Sequence, residues 1–218
     1  MLAVALLALV SAPRRFLVCV DPGHPSERNS GGAVVDGLRE VDVNWKVARL
    51  VGVKLRARHI GVVFTKTRLD QYVTNRQRAA IANRSRCNLM VRIHADSGRR
   101  GGFGVYYPSH PGTALGKTGP SPQVIAASTH AARLFHLGVA EELRGQLPDD
   151  GLYGDDKSFV GRQQGALTAS VFSQVPVVLI EIGFLDNPHD SQWLKVPANL
   201  DRMADAIVQG IEAVRESG

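Results

Sequence analysis

The sequence lacks an apolar run long enough to cross a bilayer, which requires about 20 residues. Its longest such run, residues 1–10, is followed by the small residues Ser11 and Ala12, but no basic residues precede it. This pattern is similar to the apolar region and cleavage site of a secretory signal. We interpret residues 1–12 as a truncated signal remnant and expect an exported protein without stable membrane insertion. A first strand or a disordered tail is the alternative interpretation.

Cysteine is scarce. The two cysteines, Cys19 and Cys87, are too few for a disulfide scaffold, and no CxxC pattern typical of a metal site is present. Because both lie in or beside predicted strands, we expect two buried free thiols. A single disulfide bridge is the alternative in an exported protein.

The sequence also has no dense block of lysine and arginine, although its formal net charge is +6. A basic surface attracts polyanions such as nucleic acids, anionic lipids and acidic polymers. The closest approaches to a block are the pairs Arg84/Arg86 and Arg99/Arg100. They are weaker than the basic stripe of a typical nucleic-acid-binding protein, so we expect no nucleic-acid partner. Solubility alone is an equally good explanation of the charge.

No internal repeat or change of composition divides the 218 residues, and this length suits one domain with a sizeable core. Short apolar runs that stop at turn residues predict strands at 16–21, 62–65, 89–94, 102–107 and 175–182. Helical spacing predicts helices at 38–59, 74–86, 121–147 and 203–214. This alternation predicts a single-domain, three-layer α/β/α fold with a mostly parallel twisted sheet flanked by helices. The long predicted loops at 29–37, 108–120 and 148–161 should flank a functional site.

Polar side chains follow or interrupt three of the predicted strands. His24 follows the first strand, His94 ends the third, and Glu181 interrupts the last, while Glu40 lies near the start of the first long helix. Because ligands of open α/β sheets bind outside the carboxyl ends of the strands, we expect these side chains to converge there.

Two histidines and one glutamate form a known catalytic zinc set that leaves one position for water. Zinc lowers the pKa of that water to about 7, and a further carboxylate can transfer its proton to a leaving amine. The two histidines and two glutamates can therefore fill every role that metal-assisted amide hydrolysis needs. Glu181 is costly to bury unpaired, and a salt bridge to Arg92 or Arg162 is the alternative. Glu40 also suits a first helical turn, so chemistry alone does not decide which glutamate binds metal.

Five motifs follow one another along the chain in a specific order. They are Asp-Pro-Gly-His at 21–24, Gly-Leu-Arg-Glu-Val-Asp-Val-Asn at 37–44, Arg78 with Ala82-Asn83, Ile-His-Ala-Asp at 93–96, and Leu-Ile-Glu-Ile-Gly-Phe-Leu-Asp-Asn at 179–187. Together they resemble the catalytic domain of the zinc-dependent N-acetylmuramoyl-L-alanine amidases over nearly the whole chain from residue 16.

The resemblance implies that residues 13–218 form the catalytic domain, with one zinc ion on His24, Glu40 and His94 and with Glu181 as the catalytic glutamate. The family cleaves the amide that joins the lactyl group of N-acetylmuramic acid to the L-alanine of the stem peptide. The resemblance therefore implies that peptidoglycan, in the form of muropeptides, is the substrate. It also implies that the protein acts in the periplasm, in the cell wall or outside the cell.

We expect a monomer, with no regulatory partner identifiable from the sequence. Two alternatives remain: a zinc peptidase that cuts stem-peptide bonds, and a non-catalytic peptidoglycan-binding module. The four key residues argue against the binding module, since such a protein is expected to lose metal ligands.

The sequence departs from the family pattern at two places. Pro25 and Ser26 follow the first histidine where two glycines are usual, and residues 92–96 read Arg-Ile-His-Ala-Asp where Ser-Ile-His-Ala-Asn is common. Neither change removes a ligand, so they bear on substrate preference. Asp96 is expected either to accept a hydrogen bond from a ligand histidine or to cap a turn. The remaining histidines are expected to lie at the surface or to pack: His59, His110, His130, His136 and His189. The aromatic residues Phe103, Tyr106 and Tyr107 are expected to pack on the sheet, and a substrate groove lined by them is the alternative interpretation.

Overall fold

The computed structural model describes residues 15–27, 31–98 and 100–218 of one α/β unit. The predicted signal remnant at 1–12 lies outside the described residues, as does Arg99. The strands are β1 (Leu17–Pro22), β2 (Val34–Val35), β3 (Leu38–Arg39), β4 (Gly61–Phe64), β5 (Leu89–His94), β6 (Phe103–Tyr107), β7 (Gly112–Ala114), β8 (Lys117–Gly119), β9 (Asp149–Gly154) and β10 (Val177–Glu181). The helices are α1 (Glu40–Ala57), α2 (Asn75–Ser85), α3 (Pro122–Glu142), α4 (Phe159–Gln164), α5 (Thr168–Phe172), α6 (Pro188–Leu194) and α7 (Pro197–Glu216).

Six strands form the central sheet in the order β4-β1-β5-β10-β6-β9. The strands β4, β1, β5 and β10 are parallel to one another, while β6 is antiparallel to β10 and β9 is parallel to β6. The mostly parallel sheet flanked by helices is thus confirmed. Pro176 immediately precedes β10, where its missing N–H interrupts no ladder.

Helices α2 and α3 begin where the sequence signals predict, whereas α7 begins at Pro197 and not at the predicted residue 203. The Thr74 side chain accepts a hydrogen bond from the Gln77 N–H in a capping box, and Ser121 caps α3 with proline at the first helical position. The predicted end of α3 near residue 147 is wrong, because the helix ends at Glu142 and Gly145 adopts a positive φ of 71° soon after.

The two faces of the sheet differ in chemistry because side chains alternate along each strand. One face carries apolar side chains, including Val20, Val91 and Ile180, that join a core with α1, α3 and α7. On the other face, α2 covers the start of the strands, where Cys19 and Met90 lie in a smaller cluster. Cys19 and Cys87 are both buried, and no disulfide bond joins them.

Further along the second face, neighbouring strands place polar side chains in register. Asp21 on β1 lies opposite Arg92 on β5, which lies opposite Leu179 on β10. Two residues further along β5, His94 lies opposite Glu181. His94 and Glu181 therefore lie on one face of the sheet near its carboxyl edge, in a cavity that Asn75 and Arg78 of α2 also line.

The three predicted loops contain regular structure. Residues 34–39 form the β2–β3 hairpin and residues 112–119 the β7–β8 hairpin. Strand β9 (Asp149–Gly154) pairs with β6 alone among the described residues, and its acidic, glycine-rich sequence has no alternating apolar pattern to reveal it. None of the helices among the described residues is long and apolar enough to span a membrane.

Candidate metal centre and active site

His24, Glu40 and His94 converge from three different elements. One ligand atom from each lies within 4.8 Å of the others. Glu40 Oε1 is 3.4 Å from His24 Nε2 and 3.1 Å from His94 Nδ1, and the two imidazole rings are nearly perpendicular at 78°. The sequence prediction that these three residues meet is therefore realised in the structure.

Glu40 is fixed at the first position of α1 by hydrogen bonds on both carboxylate oxygens. Oε2 accepts from the Ala33 N–H at 2.9 Å, and Oε1 accepts from Asn44 Nδ2 and the Ala95 N–H at 3.3 Å each. Burial alone would raise the pKa of Glu40, but its hydrogen bonds with His24 and His94 hold that pKa well below its usual range. Glu40 is therefore an ionised, preoriented carboxylate.

His94 is ready to act as a neutral ligand. Burial, together with the charge of Arg92, lowers its pKa to about 4 in spite of its hydrogen bond with Glu40. A metal binds the neutral imidazole, so no proton has to be displaced near pH 7.

Close backbone approaches explain two glycines of the site. A Cβ at Gly23 would lie 2.5 Å from His94 Cε1, and a Cβ at Gly32 would lie 2.5 Å from Glu40 Oε2. Any side chain at either position would therefore displace a candidate ligand.

The loop that carries His24 is fixed by Arg78 and Lys66, which the sequence analysis did not assign to the site. Arg78 donates from Nη1 to the Pro22 carbonyl and from Nη2 to the Pro25 carbonyl, both at 2.8 Å. Lys66 Nζ donates to the His24 carbonyl. Burial, together with the charge of Arg78, lowers the pKa of Lys66 to about 8.

Glu181 lies beside the candidate ligands without forming an ion pair. It is 8 % exposed, and its Oε2 has no hydrogen-bond partner among the described residues. The predicted alternatives are not formed, because Arg92 pairs with Asp21 at 2.9 Å and Arg162 Nε donates to the Lys157 carbonyl. Burial raises the pKa of Glu181 well above its usual value, and the charges of Asp96 and Glu40 add to this effect.

Asp96 accepts a hydrogen bond from the Ser97 N–H at 2.7 Å, which is the turn-capping role predicted as one of its two options. Among the aromatics Phe103, Tyr106 and Tyr107, only Tyr106 lines the site cavity, whereas Phe103 belongs to the core.

The other histidines lie away from the candidate ligands. His59, His110, His130 and His189 are exposed, and the half-buried His136 is 2.9 Å from Asp149, as expected for surface and packing roles.

The three candidate ligands and Glu181 line one cavity of about 730 Å³, a size typical of ligand sites. Two imidazoles and one carboxylate are the donor set of many catalytic zinc sites. His24 Nδ1 and Glu181 Oε2 are buried polar atoms without a partner among the described residues. The residues present therefore fit a metal ion that His24, Glu40 and His94 would hold in the cavity that Glu181 also lines.

Comparison with known proteins agrees with this fold and identifies the family. A family model described as N-acetylmuramoyl-L-alanine amidase matches residues 18–213, so the chain belongs to that family. The chain is 28 % identical to the N-acetylmuramoyl-L-alanine amidase Rv3717 of Mycobacterium tuberculosis, over 90 % of this chain and 85 % of that protein. It is 29 % identical to the uncharacterized protein YqiI of Bacillus subtilis, over 90 % of this chain and 83 % of that protein.

Solved structures give the same result. The N-acetylmuramyl-L-alanine amidase Ami1 of Mycobacterium smegmatis superposes with a TM-score of 0.76 at 27 % identity, over 93 % of this chain and 98 % of that chain. The amidase AmiC2 of Nostoc punctiforme, at 22 % identity, shares the fold with a TM-score of 0.73, over 94 % of this chain and 99 % of that chain.

The family consists of hydrolases that cleave an amide bond of peptidoglycan, and this chain is an amidase of that class. The matches favour this activity over the stem-peptide peptidase, the peptidoglycan-binding module and the nucleic-acid-binding protein.

Proposed function

We propose that the chain cleaves the amide between N-acetylmuramic acid and L-alanine with His24, Glu40 and His94 as the ligands of one zinc ion. Glu181 is the proton-transferring carboxylate in this proposal. The observation that carries these roles is the buried Oε2 of Glu181, which has no partner among the described residues and shares a cavity with the three converging ligand atoms.

Zinc supplies Lewis acidity when bound, which lowers the pKa of water to about 7 and polarises a carbonyl. His24 and His94 donate ring nitrogens and Glu40 donates a carboxylate oxygen, in positions fixed by α1, β5 and the Arg78 hydrogen bonds. The chain thus orients its donors before any ligand arrives.

Glu181 accepts a proton from the attacking water at Oε2 and returns it to the nitrogen of L-alanine as the amide bond breaks. Oε2 of Glu181 is placed for both transfers, because it has no other hydrogen-bond partner among the described residues and lines the cavity of the three ligands. Burial beside β5 also keeps the carboxyl group away from competing bulk water.

Digestion of purified muropeptides tests these roles. We expect wild-type protein to release a stem peptide that begins at L-alanine, to lose activity with a chelator and to regain it with zinc. Glu181→Gln should lower turnover by about 10²–10⁴-fold and still bind one zinc ion per chain. His94→Ala should lose the zinc, whereas Glu142→Gln, an exposed control on α3, should match wild type.

Two results would contradict the assignment. Loss of zinc in Glu181→Gln together with its retention in Glu40→Gln would show that the two glutamates have exchanged roles. A cut inside the stem peptide would identify a peptidase.

We also propose that the chain is exported to the periplasm, cell wall or exterior and acts there as a monomer. The wall location of peptidoglycan and the apolar residues 1–10 support export. Fractionation of the producing cells and light scattering of the purified chain test the two parts separately, and a cytoplasmic or oligomeric protein would refute them.

A further inference from the structure

The site cavity contains cationic side chains that the catalytic roles do not use. Arg78 and Arg92 are paired with Asp21. The other three, Arg100, Lys157 and Arg162, line the site cavity and also an adjoining cavity of about 700 Å³. These three therefore lie at the boundary between the two cavities.

Two of the three boundary cations already have acidic partners. Lys157 Nζ is 2.9 Å from Asp156, and Arg100 Nε is 3.0 Å from Asp150. Arg162 has no acidic partner among the described residues, and the one hydrogen bond of its side chain there runs from Nε to the Lys157 carbonyl at 3.2 Å. Its two terminal nitrogens are therefore available to an anion.

Arg162 lies on a tightly packed turn. The Ser158 hydroxyl donates to the Asp155 carbonyl at 2.6 Å and accepts from the Gly161 N–H at 3.0 Å. A Cβ at Gly161 would lie 1.9 Å from the Asp155 carbonyl oxygen, so only glycine fits there. Asp155 Oδ2 in turn accepts from the Leu167 N–H at 3.0 Å. Such packing lowers the entropy lost when a ligand orders the segment.

An exposed aromatic ring accompanies this arginine. Phe159 is 75 % exposed, lines the site cavity and lies on α4 with Arg162. Phe159 and Arg162 are three residues apart on α4 and line the same cavity, and aromatic and arginine residues carry much of the affinity of binding surfaces.

We propose that Arg162 binds a carboxylate of the stem peptide and so makes the enzyme selective for it. This inference rests on the proposed function, because it places the scissile amide at His24, Glu40 and His94 and the peptide towards α4. In a stem peptide the second residue is glutamate linked through its γ-carboxyl, which leaves its α-carboxylate free unless it is amidated. The planar guanidinium of arginine matches a carboxylate with two parallel hydrogen bonds.

Kinetics on two disaccharide-tripeptides that differ only in amidation of this α-carboxyl test the inference. We expect wild-type kcat/KM to favour the free carboxylate by about tenfold, the size of one hydrogen-bonded charge pair. Arg162→Gln should remove that preference, mainly through KM, and leave the amidated substrate within about twofold. Arg162→Lys should recover part of the preference, and Arg133→Gln, an exposed control on α3, should keep all of it.

Equal kcat/KM values of wild type and Arg162→Gln on the carboxylate substrate would overturn the inference, as would an equal loss on both substrates. If wild type cleaves neither substrate, the proposed function fails instead. Calorimetric binding of the free stem tripeptide then still decides the role of Arg162, since Arg162→Gln should bind it about tenfold more weakly than wild type.

Discussion

Asp21 and Arg78 are completely buried, and Arg78 Nη1 lies 2.5 Å from Asp21 Oδ1 beside the loop that carries His24. Burial alone would raise the pKa of Asp21, but Arg78 and Arg92 hold that pKa well below its ordinary value of 3.8. Because the folded-state pKa is lowered, Asp21 stabilises the fold above the unfolded-state value, and this contribution is lost as the pH falls through the folded-state value. The network is therefore intact across the neutral range.

Replacing Arg78 by methionine tests this network. The change leaves the buried Asp21 with Arg92 alone and removes the hydrogen bonds to the Val73, Pro22 and Pro25 carbonyls. We expect the free energy of unfolding to fall by about 3–5 kcal/mol, as for other broken buried pairs. Urea denaturation at pH 7, followed by circular dichroism, measures it.

Arg84→Met is the matched control, because Arg84 lies on the same helix, α2, and is exposed. It should change the free energy of unfolding by less than about 0.5 kcal/mol. An Arg78→Met protein as stable as this control would show that Arg92 alone compensates the charge of Asp21.

The convergence of His24, Glu40 and His94 could be predicted from the sequence, but the partners of the site residues could not. The sequence offers Arg92 as a salt-bridge partner of Glu181, yet the β1–β5 register places Arg92 opposite Asp21. Strand register depends on the whole sheet, so a single sequence does not reveal which of two carboxylates an internal arginine meets. The charged residues Asp21 and Arg92, inside otherwise apolar strands, were the available signal.

The helices α3 and α7 approach each other through two glycines. A Cβ at Gly138 would lie 2.8 Å from Gly210 Cα, and a Cβ at Gly210 would lie 2.7 Å from the Phe135 carbonyl oxygen. Glycine normally weakens a helix interior, so its presence at both positions indicates that close packing outweighs helix propensity.

Gly210→Ala should therefore destabilise the chain by about 1–2 kcal/mol, although alanine favours the helix by about 1 kcal/mol. Urea denaturation compares it with Gly31→Ala, where an added Cβ meets nothing within 4 Å and stability should stay within about 0.5 kcal/mol. A Gly210→Ala protein more stable than wild type would mean that α3 and α7 separate without loss of packing.

Elements with strong local signals were predictable, whereas short ones were not. The caps of α2 and α3 are encoded by Thr74 and Ser121. By contrast, α4, α5 and β9 are short, and isolated segments of this length have little stability of their own. Tertiary contacts such as that of Asp155 with the Leu167 N–H determine their structure.

At the scale of the whole molecule, one face of the central sheet carries the polar strand residues of the site and the other face carries apolar core residues. The sequence predicted convergence at the carboxyl ends of the strands, but it did not predict that the strand residues of the site share one face of the sheet. That arrangement follows from side-chain alternation combined with strand order, which places Arg92, Leu179 and Tyr106 in one row across three strands. The opposite face is thereby left entirely to the apolar core.

Zinc binding should stabilise this single unit as a whole, because the proposed ligands come from β5, α1 and the loop after β1. A ligand at about 100 times its Kd adds about 2.7 kcal/mol to the folded state. For a chain of 218 residues this corresponds to a rise in Tm of about 5–10 °C. Differential scanning fluorimetry with and without zinc measures the shift, and Mg²⁺, which prefers oxygen ligands, serves as the control cation.

Variants distinguish the metal ligands from the catalytic carboxylate, because only the loss of a ligand should affect the zinc-induced rise in Tm. His94→Ala should abolish it, whereas Glu181→Gln should retain it even if its own Tm differs, since replacing a buried carboxyl that lacks a partner on Oε2 changes the starting stability. An unchanged zinc shift in His94→Ala would place the metal elsewhere and would refute the ligand set, whatever the activity of the enzyme.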